Sequence, residues 1–412
     1  MQSAKGRYAN GLLLIRPILY PSNMKTSIFT LGILATMCLG CSEKRSNVAV
    51  VSISHGNLLE GEHTIKTPKT NGSAMFAGEN EIKFLSGEES IITVQNNSDT
   101  SLLIKSNYTI PDSIYQQAQN MYYATLTPGI PKKEIDSLIA ADQKENKGIP
   151  HKIIYRFGYD VKTKRTFILC AFTCPGKKEM RNGSETYTIY TKRRPMFLLT
   201  IDSNEVMQKL SYFSTQQVID NNGTIAAVLG AFINADTLIT AEITKRGDAE
   251  RPLPLYATYI DQNGKYIKGT SPTLKYESKN NLALNEETQM YAPSFYKQPN
   301  GEVLMSDFRN VYNITTSSKI YSLPKDYCPT SAIIGMSTHN NYLILAQGEI
   351  KAESRIDSPL FITVADMKTG TAMRVFNTHK RSNVYTCILQ DNRMFILYKE
   401  GEILKYETFQ IH

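Results

Sequence analysis

Short apolar runs rich in Val, Ile, Tyr, Thr and Phe alternate along most of this chain with Asn, Asp and Gly turns, a pattern of antiparallel strands joined by tight connections. Three hairpins share one layout. Leu360 to Asp366 (LFITVAD) turns at Lys368-Thr369-Gly370 into Ala372 to Phe376. Leu255 to Asp261 (LYATYID) turns at Gln262-Asn263-Gly264, and Phe197 to Asp202 (FLLTID) turns at Ser203-Asn204. Each first strand has a buried-type composition and ends in Asp. A carboxylate at that position can accept from backbone amides two residues on, which favours the turn.

A second hairpin accompanies these. Ala332 to Met336 leads into Tyr342 to Ala346, Val384 to Leu389 into Met394 to Tyr398, and Ser294 to Lys297 into Val303 to Asp307. Ile153 to Asp160 leads into Thr166 to Phe172, and Ile225 to Phe232 into Leu238 to Ile243. Four-stranded antiparallel units begin near Ile153, Ile225, Ser294, Ala332 and Val384, and a weaker sixth covers Ile82 to Ser106. The last unit has three strands before His412, and Asn47 to Ser54 (NVAVVSIS) is the natural donor of the fourth. Such closure hides sheet edges that would otherwise invite aggregation. Helical periodicity is predicted only over Lys132 to Ala141, where Ile135, Leu138 and Ile139 share a face.

Repeated four-stranded units of this kind mark a β-propeller. The organisation resembles the six-bladed, TolB-like or NHL-like propellers common among Gram-negative lipoproteins. The expected fold is therefore all-β, a six-bladed propeller with a short helical insertion and an N-terminal strand closing the last blade. A pair of β-sandwich domains is the competing architecture.

The N-terminal segment has a different character. Arg7, Arg16, Pro17 and Pro21 interrupt residues 1–23, so Met24 reads as the functional start. Met24-Lys25 then supplies a positive n-region, and Ile28 to Leu39 an apolar run of signal-peptide length, too short to span a bilayer. Gly40-Cys41 resembles the end of a bacterial lipobox, which implies cleavage before Cys41 and acylation of its sulfur. Cys38 stands where that motif usually has Leu. The organisation expected is a misassigned start region (1–23), a lipoprotein signal peptide (24–40), a lipidated tether (41–46) and a propeller (47–412). Cys41 would join the protein to a membrane of the cell envelope. Ser42-Glu43-Lys44-Arg45, with no Asp after the cysteine, points to the outer membrane.

Net charge falls from +8 for the whole chain to +4 from Cys41 onward, which makes no case for nucleic acid. Cys170, Cys174, Cys328 and Cys387 follow the lipobox. Cys170 and Cys174, read on one strand, would lie about 13 Å apart, beyond disulfide reach. The six histidines are scattered, and no nucleophile elbow, zinc-binding His pair or phosphate loop occurs. No cofactor, metal or catalytic residue is therefore assigned. Asp160 and Asp307 are the inner-strand acids to examine for glycosidase chemistry, against a turn-capping role.

Connections between second and third strands of propeller blades all emerge on one face. Read at 175–194, 245–252, 308–310, 349–357 and 399–401, they carry a net charge of +5. Lys192, Arg193, Arg194, Arg246 and Arg309 are the candidate binding residues, since a guanidinium fork suits carboxylate, sulfate or phosphate. The function expected is a non-catalytic envelope lipoprotein that binds a protein or anionic glycan through this basic face. A glycan-processing hydrolase or lyase with carboxylates or metal in the central pocket is the alternative. Twenty-four tyrosines could stack on sugars, but the chain has no tryptophan, the usual sugar platform.

Overall fold

The computed structural model describes residues 49–59, 65, 74–87, 89–98, 100–126, 131, 133–134, 136–137, 140, 144, 152–172, 174–182, 185–193, 195–213, 225–234, 237–244, 253–261, 266–269, 274–276, 294–306, 310–323, 331–350, 356–377 and 384–412. The chain enters through β1 (Val50–Leu59) and then builds meanders in succession. The first blade is β2 (Ala74–Phe76), β3 (Glu81–Ser86), β4 (Ser90–Ser98) and β5 (Ser101–Thr109), and α1 (Asp112–Leu126) follows it. The second blade opens with β6 (Lys152–Asp160) and β7 (Arg165–Phe172). A separate hairpin, β8 (Cys174–Asn182) and β9 (Glu185–Arg193), then interrupts it before β10 (Met196–Ile201) and β11 (Met207–Phe213).

The third blade is β12 (Ile225–Asn234), β13 (Thr237–Thr244), β14 (Leu253–Ile260) and β15 (Tyr266–Gly269), with β16 (Leu274–Tyr276) also paired to β14. The fourth is β17 (Phe295–Lys297), β18 (Val303–Ser306), β19 (Asn310–Asn313) and β20 (Ser318–Ser322). The fifth is β21 (Ser331–His339), β22 (Tyr342–Ile350), β23 (Ile356–Asp366) and β24 (Ala372–Asn377). The sixth is β25 (Val384–Gln390), β26 (Arg393–Glu400) and β27 (Ile403–Ile411), and β1 completes it antiparallel to β27. First strands neighbour one another in the cyclic order β2, β6, β12, β17, β21, β25 and back to β2. The fold is a β-propeller, closed by its N-terminal strand.

The apolar runs in the sequence follow from this architecture. A blade is covered on both faces, so its middle strands are apolar at successive positions and alternate residues serve different cores. In β26, Phe395 and Leu397 pack toward the first blade with Phe84, Ile92 and Val94. Met394, Ile396 and Tyr398 turn the other way, toward Ile344, Ile362 and Val364 of the fifth blade. The core is thus a series of apolar layers between neighbouring blades.

The turn-capping aspartates act as their positions predict. Asp366 Oδ1 accepts from the amides of Lys368 at 2.7 Å and Thr369 at 3.2 Å. Asp202 Oδ1 accepts from Asn204 and Val206, each at 2.9 Å.

The fifteen-residue helix α1 was not anticipated. Ile114, Tyr115, Ala118, Tyr122 and Tyr123 form its buried stripe and pack with Phe157, Phe172 and Phe197 of the second blade. Lys152 Nζ closes its start, donating to Asp112 Oδ1 at 2.5 Å and to the Ile110 carbonyl at 2.6 Å. Within the helical stretch expected at 132–141, the described residues 133, 134, 136, 137 and 140 are helical. No described helix is long and apolar enough to cross a membrane.

Candidate functional site

The layer between the first two blades departs from the apolar pattern. On the first blade's face toward the second, Leu85 and Ile91 join the apolar core. Two residues earlier on β3 and later on β4, the same face carries Lys83 and Thr93, paired across the strands. Ser106, Thr93's partner on β5, adds a hydroxyl residue. A cleft of about 570 Å³ opens where this polar end meets the β6–β7 and β10–β11 turns. That volume suits a small molecule rather than a macromolecular chain.

Lys83 is held in this wall. Its Nζ donates to Thr93 Oγ1 at 2.9 Å, lies 3.3 Å from Glu81 Oε1 and sits 5.0 Å from the centre of the Tyr159 ring. Only 13% of its side chain is exposed. Burial, then the nearby Glu81 and Asp160 carboxylates, raise the Tyr159 phenol above its ordinary range. Tyr108 also lines the cleft. It is 5% exposed, and its hydroxyl is buried without a hydrogen-bond partner. Burial, then the neighbouring Cys170 and Glu205, raise this phenol far above its usual value, so it is a neutral donor.

Exposed Lys105 and Lys164 stand at the mouth of the cleft, and neither has an ion-pair partner among the described residues. On the opposite turn, Asp202 is committed to its own loop, with Oδ2 accepting from Gln208 Nε2 at 2.9 Å. Glu205 follows in the same turn with a left-handed backbone (φ 63°). Lys164 shares that conformation (φ 55°), as do Asn340 and Asp391 in hairpin turns elsewhere. It is therefore a property of these turns rather than a strain peculiar to the cleft.

None of the cleft residues was singled out in the sequence as a binding residue; Asp202, Ser203 and Asn204 were read only as a turn. The available signal was Lys83 itself, a lysine inside a strand covered on both faces. Arg156, buried in β6, is another cation the sequence did not flag. Burial lowers its guanidinium to about 10, leaving it charged at neutral pH, and Nη1 donates to the Tyr155 carbonyl at 2.6 Å.

The expected site residues are distributed otherwise. Cys41 lies outside the described residues, as do Arg194, Arg246, Arg309 and Asp307. Lys192 and Arg193 end β9, paired in backbone register with Pro175 and Cys174. The stretch read as a loop at 175–194 is thus largely the β8–β9 hairpin, set between the second and third strands of its blade. Cys174 accordingly lies on β8 and Cys170 on β7, separate strands rather than one. Asp160 caps its turn, with Oδ1 accepting from Lys162 N at 2.9 Å and Oδ2 from Thr163 Oγ1 at 2.7 Å. Among the described residues, no three His, Cys, Asp or Glu side chains form a metal-binding group.

The basic face also needs one amendment. The first blade contributes a sixth connection of the same kind, residues 87–89, which carries Glu88 and Glu89. Including it lowers the excess of these connections from +5 to +3. Positive charge is concentrated in the β8–β9 hairpin rather than spread over the face.

Neither a family model nor a curated protein matches the sequence. Among solved structures, the chain is similar to the WD40 β-propeller domain of Doa1, at 8% identity and a TM-score of 0.37, covering 87% of this chain and 97% of that one. It is similar to the Dos1 propeller at 9% identity and a TM-score of 0.37, covering 82% and 77%. The polysaccharide lyase Uly1 is similar at 10% identity and a TM-score of 0.35, covering 63% of this chain and 58% of that one. These likenesses are distant; the strand order and cyclic closure described above carry the fold assignment.

Proposed function

We propose that this protein is an envelope-anchored lipoprotein whose six-bladed propeller binds an acidic glycan, without cleaving it, through the hairpin of its second blade. The observation that carries this reading is the β8–β9 hairpin, a two-stranded ribbon inserted between β7 and β10. Its strands and turn contain Lys177, Lys178, Arg181, Lys192 and Arg193 against Glu179 and Glu185, with Arg194 immediately after. Tyr187 and Tyr190 lie among these positions. Cations for carboxylate or sulfate interleaved with aromatic rings for sugar faces suit an acidic polysaccharide.

Strand direction supports the same reading. β1 begins at the end of the sixth blade where β27 finishes, opposite the connection between β26 and β27. The hairpin follows β7 and therefore belongs to the end bearing the β26–β27 connection. The chain thus enters the propeller at the end opposite the hairpin.

The test uses the chain from Ser42 and immobilised polygalacturonate and chondroitin sulfate. The expected result is salt-sensitive binding, weakened at least ten-fold in the triple variant Lys192→Gln, Arg193→Gln, Arg194→Gln. Binding that survives intact in that variant sinks the hairpin assignment. Failure to bind either glycan, with an envelope protein captured instead through the same three residues, replaces glycan by protein partner. For the anchor, Cys41→Ala should abolish incorporation of an alkyne-tagged fatty acid and release the protein from membranes.

A further inference from the structure

The β8–β9 hairpin directly continues the two middle strands of the second blade. β7 and β10 pair from Thr166–Ile201 to Ala171–Met196, and the Phe172 amide then donates to the Pro195 carbonyl at 3.3 Å. The ladder resumes at Cys174–Arg193, three residues on along each strand, and runs without a register shift to Asn182–Glu185. The flanking strands stop short of it. β6 pairs with β7 only as far as Lys152–Phe172, and β11 with β10 only as far as Met196–Phe213. Nine pairs therefore extend past the flanking strands as a two-stranded ribbon, about 30 Å long.

An unbroken register carries the blade's pleat into the ribbon. Directly paired residues share a face, and successive residues alternate between faces. Within the blade, Ile168, Cys170, Phe197 and Leu199 belong to the core shared with α1 and the first blade. Leu169, Ala171, Met196 and Leu198 form a separate cluster on the other face. By the same alternation, the ribbon face continuous with Leu169 and Ala171 holds Lys177, Arg181, Lys192 and Tyr190, with Glu179 as its one acid. The face continuous with Cys170 holds Lys178 and Arg193 with Glu185, and places Met180, Tyr187 and Ile189 among them.

The two faces therefore differ in chemistry. The first carries three cations against one acid, with an aromatic ring beside them, whereas the second is half apolar. On the first face, Lys177 and Arg181 are four residues apart, about 13 Å along the strand. Lys192, opposite Pro175, lies about 7 Å along from Lys177 in the other direction. Cations spread over about 20 Å match anionic groups repeated along a chain, while a single charged sugar meets only one of them.

We infer, on the basis of the glycan reading above, that the ribbon face bearing Lys177, Arg181, Lys192 and Tyr190 is the recognition surface, and that its ligand is a linear polysaccharide with regularly repeated carboxylates or sulfates. The opposite face takes no part in recognition.

Non-specific attraction responds to charge alone, so the test removes equal charge from each face. Binding of the chain from Ser42 to immobilised polygalacturonate and chondroitin sulfate is compared for Lys177→Gln with Arg181→Gln and for Lys178→Gln with Arg193→Gln. The first pair should weaken binding at least ten-fold and the second less than three-fold. Tyr190→Ala should weaken it at least three-fold and Tyr187→Ala less than two-fold. Six-sugar oligomers of the bound polymer should displace the protein at a concentration of anionic groups where galacturonate and glucuronate monomers do not. Equal losses in the two paired variants, or a larger loss in the second, overturn the face assignment, while binding by the parent leaves the hairpin reading intact. Displacement by monomers at equal anion concentration overturns the repeated-anion ligand. A parent that binds neither polymer removes the hairpin reading and this inference together. Unchanged urea midpoints in the variants show that each loss is one of binding.

Discussion

Ala49 and His412 exchange both of their backbone hydrogen bonds, Ala49 N to His412 O at 3.1 Å and His412 N to Ala49 O at 2.9 Å. Residues 363 positions apart in sequence thus form the first rung of the ladder that closes the propeller. The ladder runs through β1 and β27 from Val50–Ile411 to Asn57–Lys405. At its far end β1 also pairs in parallel with β5 at Asn57–Ser101, tying the sixth blade to the first. Closure of this kind joins the two chain ends and costs loop entropy, so the ladder must be well made to hold.

Gly56 is the tightest point of that ladder. A Cβ there would lie 1.8 Å from the Thr100 carbonyl oxygen, and the next residue's amide donates to that same oxygen at 3.0 Å. The contact is with backbone, so no side chain can swing away. Gly56→Ala should cost about 3 kcal/mol, the upper part of the range for overpacking. Urea unfolding measures it, with Ser52→Ala as a nearby exposed control expected to change little. A loss below about 0.5 kcal/mol would mean the seam relaxes freely.

Tyr108→Phe should have the opposite sign in the unliganded protein. The parent hydroxyl is buried with neither donor nor acceptor, and phenylalanine fills the same space without that desolvation cost. Stability is expected to rise by roughly 1 kcal/mol. A decrease would show that the hydroxyl is hydrogen-bonded in solution.

The propeller was legible because hairpin rhythm and turn chemistry are local. Asp202 and Asp366 announce their turns through the carboxylate, and the closing strand is visible because the last unit lacks a fourth strand. The first blade read weakly for a physical reason. Lys83, Thr93 and Ser106 occupy positions that are apolar in the fully packed layers, and those departures make the cleft. The cleft itself was not legible, since turns near residues 163 and 204 reach a strand near residue 83 only through blade packing. Helix α1 was missed because Tyr115, Tyr122 and Tyr123 are strand-favouring residues whose helical spacing shows only when Ile114 and Ala118 are counted with them. The basic face was overstated because the weakest unit, which supplies Glu88 and Glu89, was omitted from it.

Acid should weaken the turns that aspartates cap. The Thr163 hydroxyl, then the Lys162 amide, hold Asp160 below its ordinary value near 3.8, and the Lys368 amide does the same for Asp366. With folded values depressed, the unfolded chain binds more protons between the depressed and ordinary values. Their contribution is present above about pH 4 and lost as pH falls through the folded values. Asp160→Asn and Asp366→Asn should each flatten the acid limb of stability measured by urea unfolding from pH 2.5 to 7. An unchanged slope in both variants would show that these caps do not couple to folding.

The two described thiols should report global opening rather than local exposure. Cys170 is fully buried on β7, with Sγ donating to the Phe197 carbonyl at 3.7 Å, and Cys387 is half-buried on β25. Both are free. Burial raises each thiol, that of Cys387 to about 12. Since the thiolate is the reactive form, burial leaves both thiols slow to react. Peptide mapping after iodoacetamide should therefore find both cysteines unmodified in native buffer and both alkylated in denaturing urea. Across intermediate urea, the alkylated fraction of Cys170 should track the unfolding transition, because it sits in one core with α1 and the first blade. Alkylation of Cys387 in native buffer at the rate of a free thiol, with Cys170 still protected, would locate a separate local opening at the first strand of the closing blade.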